Sequence, residues 1–333
     1  MKKILLALSA VALLAAVTAC GPKHPAPVNP NATPEAKALL AQLYQSVDEG
    51  KIIAGLHHGS RAGISYDMKR IAKASGKEPI VWGGELAWNG YQTIEAAKEE
   101  FKTGHIITLM WHSARPNERA GIDPHSDLTD EEWNDLVTEG TEMHNLWLKQ
   151  IDSVAVNFLK PLQELNIPVL WRPYHEMNGE WFWWGWKEGE NGFAKMYQMM
   201  WDRYVNYHHL DNILWVWNAN APRDIPGDTA RAYDLYYPGN EYVDVLATDV
   251  YNRDWKQSHH DQLIELGGGK LITLGELGSL PTPEMLDNMN KYAWFMIWSG
   301  FTSDKYNSLD EIAAVFNRPN TISFEAQPEA YEE

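Results

Sequence analysis

Short apolar runs recur along the chain, and nearly all of them end in polar residues. They are "KIIAGLHH" (51–58), "EPIVWGGE" (78–85), "HIITLMWH" (105–112), "IPVLWRPYHE" (167–176), "NILWVWN" (212–218), "VDVLATDVY" (243–251), "KLITLGELG" (270–278) and "AWFMIWS" (293–299). Each has strand length and is apolar along its length rather than alternating, as strands buried on both faces read. Segments of helical or loop character lie between them, such as 92–103, 129–164 and 190–208. Upstream, Thr33 can cap and Pro34 can open a helix in which Ala36, Leu39, Leu40, Leu43 and Val47 repeat at helical spacing up to Gly50. Eight strands with helical crossovers predict an α/β fold, a (β/α)8 TIM barrel. No internal repeat or second composition regime is visible, so residues 35–333 read as a single domain.

In such a barrel the C-terminal ends of the strands surround the working mouth. Here those ends carry His57-His58, Glu85, His112, His175-Glu176, Asn218, Asp249 with Tyr251, Glu276 and Trp298. Charged groups at the tail of an apolar strand are poorly solvated, so they need a partner or a task. Asp249 reads as a structural hydrogen-bonder. One stretch stands apart: "WRPYHEMNGEWFWWGW" (171–186) sets titrating groups directly before flat apolar rings. A sugar ring has an apolar C–H face and a polar rim; an indole covers the first, and Asn, Glu, His and Arg read the second. Of the four tryptophans in 181–186, half are expected to pack beneath the loop. Pro173 and Gly179 are expected to fix its backbone.

Composition narrows the partners. The 333 residues carry a formal net charge of −17, which disfavours nucleic acid and other polyanions. Lys2 and Lys3, an apolar run from Ile4 to Val17, and Val17-Thr18-Ala19-Cys20 resemble a bacterial lipoprotein signal. That reading makes 1–19 a signal peptide and Cys20 the lipidated residue of the mature chain. Ordinary cleavage after Ala19 is the alternative. Cys20 is the single cysteine, so no internal disulfide is possible. "GPKHPAPVNPNATP" (21–34) is Pro-rich and reads, with Cys20, as a tether. A membrane-anchored protein follows, facing the periplasm in preference to the cell exterior, since no acidic run follows Cys20.

Two glutamates carry the chemistry. Glu176 ends the fourth strand and Glu276 the seventh, so a closed barrel faces them across its mouth. Paired carboxyls in a cleft lined with tryptophan are the equipment for glycoside hydrolysis. "RPYHEMNGEWFWWG" and "LGELG", on this eight-strand layout, resemble glycoside hydrolase family 26, whose typical members are β-mannanases; the resemblance covers most of residues 36–320. It implies a retaining double displacement with Glu176 as acid/base and Glu276 as nucleophile, acting on mannan, galactomannan or glucomannan without metal or cofactor. It also implies that His175 bonds near the reacting sugar, that Tyr251 donates to the nucleophile, and that Arg172 orients it. His112 and Trp298 would line the sugar site, with Trp181 and Trp186 as stacking platforms. Glu85 is a possible substrate contact, and Trp217, with Asn218, a further one.

Other readings stay open. A mannobiose-releasing enzyme, or a β-xylanase or β-glucanase of the same family, fits the same residues; the long segment after the third strand could block the cleft. A non-catalytic, tethered glycan-binding lipoprotein would need the tryptophans but not the carboxyl pair. A metal site at His57-His58 is disfavoured, because adjacent strand residues point to opposite faces. A monomer is expected.

Overall fold

The computed structural model describes residues 24–118 and 123–327. The signal-peptide and Cys20 lipidation assignments lie outside the described residues. Eight parallel strands form the barrel: β1 (Ile52–His57), β2 (Val81–Glu85), β3 (Ile106–Trp111), β4 (Val169–Pro173), β5 (Ile213–Asn220), β6 (Val245–Val250), β7 (Leu271–Leu277) and β8 (Tyr292–Ile297). They pair in chain order, and β1 also pairs with β8, which closes the sheet. Every residue of these eight strands is buried. Apolar runs therefore form them: one face fills the barrel, the other meets the helices.

The barrel's two ends differ. Helix α1 (Pro34–Asp48) closes the N-terminal end, setting Leu39, Leu40 and Leu43 against Ile53, Val81, Leu170 and Leu214. Its boundaries follow the expectation: the Thr33 hydroxyl accepts from the Ala36 amide at 3.2 Å, and Pro34 needs no donor in the first turn. Helices α2 (Tyr66–Ser75) and α3 (Leu86–Lys102) follow β1 and β2. The long segment after β3 holds helices at Asp130–Leu136 and Glu142–Val154, the latter continuing as a π-helical turn, Ala155–Leu159.

Of the tether expected over 20–34, the described residues from His24 onward lie against the barrel. His24 stacks on Tyr44 with ring centroids 4.3 Å apart. The Val28 amide donates to Asp244 Oδ1 at 2.8 Å, and the Asn29 side chain donates to Asp211 Oδ1 at 2.9 Å. These bonds strap residues 24–33 onto the closed end. The apolar pattern gave no sign of them because polar and backbone groups make the attachment.

Candidate active site

The loop after β4 turns sharply. Tyr174 and Glu176 sit at φ 48° and 56°, a left-handed region that non-glycine residues seldom adopt. Buried neighbours hold the turn. The Glu176 amide donates to the Asn218 carbonyl at 2.7 Å, and the indole of Trp184 donates to the His175 carbonyl at 2.7 Å. The Trp183 indole donates to the Ser113 carbonyl at 2.8 Å. Trp183 and Trp184 are buried while Trp181 and Trp186 are partly exposed, so half of this aromatic cluster is a brace. Gly179 acts differently from the expectation. It has no positive φ; a Cβ there would strike the Trp181 ring, so its role is to make room.

Glu276 follows Gly275 near the end of β7. A register shift between Thr248 and Asp249 of β6 sets Asp249 beside Glu276. One carboxylate oxygen from each of Glu176, Asp249 and Glu276 lies within 4.8 Å of the others, and all three residues are buried. The two glutamates are thus close enough for a shared reacting carbon, without the wider gap an inverting water needs. Among the described residues this trio alone has metal-ligand spacing, yet the Arg172 guanidinium already balances charge within it.

Each glutamate has its own surroundings. Glu276 Oε1 accepts from Arg172 Nη2 at 2.8 Å, and Oε2 from the Tyr251 hydroxyl at 2.6 Å. Two donors, one a cation, address a carboxylate. Glu176 accepts from the Trp181 indole at 2.7 Å on Oε2 and from the Asn220 amide on Oε1. Burial, then the Glu276 charge, push its pKa up to about 7 against those two bonds and the charge of Arg223. Asp249 is likewise raised, by burial and then by Glu276. Arg172 spans them, donating to Asn218 Oδ1 at 2.9 Å and lying 3.6 Å from Asp249.

Histidines and indoles wall the mouth beside Glu276. His175 Nε2 lies 3.6 Å from Glu276 Oε1; burial and the neighbouring His112 and Arg172 charges hold it neutral. His112 is different. Burial lowers its pKa, but the Glu85 charge and hydrogen bond outweigh that and the net shift is upward. The His57 ring stacks on Trp298 at 3.9 Å, while His58 stacks on Trp82, so the two histidines do point apart.

Three residues expected at the sugar site are engaged within the protein. Glu85 is fully buried, and both its oxygens are taken: Oε1 by the amides of Ala87 and His112, Oε2 by His112 Nδ1 at 2.6 Å. It caps α3 and holds His112. Trp217 is fully buried, its indole donating to the Tyr236 carbonyl at 3.2 Å, and belongs to the core. Trp186 donates to the Asn178 carbonyl at 3.0 Å and lies under Arg231, whose guanidinium carbon is 4.1 Å from the ring centre.

Sequence reasoning also missed three residues. Trp88, 51% exposed, stacks near His112 with centroids 5.9 Å apart. It opens a groove of about 720 Å³ that passes Tyr91 and reaches Phe158. Asn220 was legible in principle: it continues the period-two row of Asn218. Arg223 lies in a loop, where no periodicity marks it.

Two such carboxylates, opposed across the mouth of a closed barrel walled with indole and imidazole, are the arrangement that retaining glycoside hydrolysis requires. The chain belongs to glycosyl hydrolase family 26, whose sequence model matches residues 28–326. A mannan endo-1,4-beta-mannosidase of Thermothelomyces thermophilus is 29% identical over 325 residues, covering 89% of this chain and 62% of that protein. One from Bacillus subtilis is 28% identical, covering 81% of this chain and 77% of its own. The solved structure of GH26A from Muricauda sp. MAR_2010_75 is 44% identical with a TM-score of 0.85, covering 90% of this chain and 99% of that one. The chain spans only 62%, 51% and 54% of the first three curated relatives it matches.

Proposed function

We propose that this chain is an endo-acting β-1,4-mannanase that cleaves mannan, galactomannan or glucomannan with retention. The observation that carries the chemistry is the contrast between Glu176 and Glu276: close together, one holding a proton near neutral pH, the other addressed by Arg172 and Tyr251. The mannan substrate is supported by the names of the relatives.

Glu176, protonated, gives its proton to the glycosidic oxygen. Glu276 attacks the anomeric carbon and forms a glycosyl ester. Bonding consumes the negative charge of Glu276, so the repulsion that raised Glu176 vanishes. Glu176, now an anion, takes a proton from the incoming water, whose oxygen bonds to the anomeric carbon as the ester bond breaks and Glu276 leaves as a carboxylate. His175, neutral, and His112, held by Glu85, stand beside the sugar bound at Glu276. Trp181 and Trp298 offer apolar faces to the rings on either side of the cleaved bond. Arg172 keeps Glu276 aimed throughout.

The reading extends to the anchor. A lipid on Cys20 would hold the chain from its closed end, since residues 24–33 are strapped there, and the cleft would face away from the membrane. A membrane-anchored, monomeric enzyme on the periplasmic side fits that placement. Palmitate labelling of the wild-type chain and its Cys20→Ala variant tests the anchor.

Incubation with mannohexaose and galactomannan tests the activity. Mixed oligosaccharides, with the β-anomer formed first, are expected. Mannobiose as sole product would overturn the endo assignment; no cleavage of any mannan, with binding retained, would overturn the enzyme.

A further inference from the structure

Beyond the two glutamates, a chain of contacts leads from Glu176 to a residue the mechanism above does not use. Arg223 follows Ala221-Pro222 at the end of β5. Its backbone bridges to Ala230, both bonds 2.9 Å long. Asp228 holds one edge of the guanidinium, accepting from Nε at 3.0 Å and from Nη2. Arg223 Nη1 donates to Asn220 Oδ1, and Asn220 Nδ2 donates to Glu176 Oε1. The guanidinium carbon also stands 5.2 Å from the centre of Trp181, whose indole donates to the other oxygen of Glu176.

A guanidinium has donors only. Whatever faces it must accept, so Arg223 fixes which way the Asn220 amide lies: oxygen toward Arg223, NH2 toward Glu176. An NH2 group bonds a carboxylate and has nothing to offer a carboxylic O–H. Without Arg223 the amide is free to turn over and accept from protonated Glu176 instead. We propose that Arg223 is a positioning residue that locks the Asn220 amide as a donor and so favours Glu176 as the base of the second half-reaction. This rests on the retaining double displacement proposed above.

Other groups around Glu176 act on both half-reactions. Glu276 of β7 and Asp249 of β6 each bring a carboxylate oxygen within 4.8 Å of one of its own, while Arg172, His175 and Tyr251 stand against Glu276. Among them Glu276 loses its charge on glycosylation. Arg223 keeps its charge, and since Asp228 neutralises much of that field, its effect runs mainly through the orientation of Asn220. The direction agrees with the electrostatics, in which Asn220, Trp181 and then Arg223 all lower Glu176 against its burial.

Arg223→Met keeps a long stem beside Trp181 and removes every donor. The assay uses a dinitrophenyl β-mannobioside, whose leaving group needs no proton, so kcat reports deglycosylation and kcat/KM glycosylation. At acid pH the variant should lose about tenfold in kcat, the effect of a rise of about one unit in the pKa of the base, with KM falling in parallel and a pre-steady-state burst of phenolate. The deficit should shrink as pH rises, because a higher pKa leaves less of the base ionised only at low pH. On mannohexaose the basic limb of kcat/KM should move up by about one unit. Arg223→Lys should recover part of both effects, and Asn220→Ala should shift both limbs in the same direction, which covers a misfolded Arg223→Met.

Equal losses in kcat and kcat/KM at every pH, or an unmoved basic limb in both variants, would overturn the proposal. A wild type that cleaves no β-mannoside overturns this proposal together with the reading it rests on. A wild type that cleaves with retention, beside variants with unchanged limbs, overturns the proposal alone.

Discussion

The indole of Trp181 donates to Oε2 of Glu176 at 2.7 Å, so the ring proposed to meet the sugar is also bonded to the proposed proton donor. On that proposal one side chain couples binding to acid strength. The bond favours ionised Glu176, whose pKa burial and Glu276 have raised to about 7. The protonated acid is needed, so kcat/KM on unactivated substrate falls as pH rises through that value. Trp181→Phe removes the donor and keeps a ring. The pKa of Glu176 then rises further, and the basic limb should move to higher pH, by about half a unit to one unit. A pH–rate profile of both proteins checks the sign: a limb moving to lower pH would contradict it.

Roles assigned to the two glutamates predict different rescues. Glu276→Ala should lose at least about a thousandfold in kcat, as loss of a nucleophile does. Azide can then attack in its place, from the opposite side of the ring, and give the α-azide. Glu176→Ala should retain the glycosylation step on a dinitrophenyl glycoside and give the β-azide, because azide needs no base. Proton NMR of the products distinguishes them; the reverse pattern would exchange the roles.

Glu85 should act through His112 rather than on substrate. Glu85→Gln removes the charge that outweighs burial, so the His112 titration should shift to lower pH. The change also weakens a buried charged hydrogen bond and should lower stability by about 2 kcal/mol. NMR titration of the imidazole and a thermal melt measure the two effects. An unchanged His112 titration beside a large rise in KM would return Glu85 to the sugar.

Trp88 and Trp217 should separate binding from folding. Trp88 is half exposed beside His112, so Trp88→Ala should raise KM on mannohexaose by about tenfold, the value of one stacking contact, with little change in Tm. Trp217 is fully buried; Trp217→Ala should cost about 3–5 kcal/mol of stability. Denaturant melts and steady-state kinetics on the two variants test the pair.

Much of the fold was legible because burial on both faces leaves a mark in one dimension. All eight apolar runs are barrel strands, and α1 begins at Pro34 under its Thr33 cap, as expected. Glu176 and Glu276 were legible too, because chain order fixes which strands face each other once the barrel closes. Where surroundings differ from the expectation, the cause is shared. Glu85, Trp186 and Trp217 look alike in the sequence: polar or amphipathic residues in a strand or in the loop that follows one. What each does depends on which partner reaches it first, and those partners come from elsewhere in the chain.

The sequence by itself determined the strands, the closing helix and the carboxylate pair, since each follows from local periodicity or from strand order. Tertiary structure alone decided that Glu85 is spent on His112, that Trp183 and Trp184 brace a left-handed turn while Trp181 reaches Glu176, and that Arg223 meets Asn220. Hydrogen bonds are short and directional, and loops that share no period bring their two ends together. That information exists only once the barrel has placed the loops side by side.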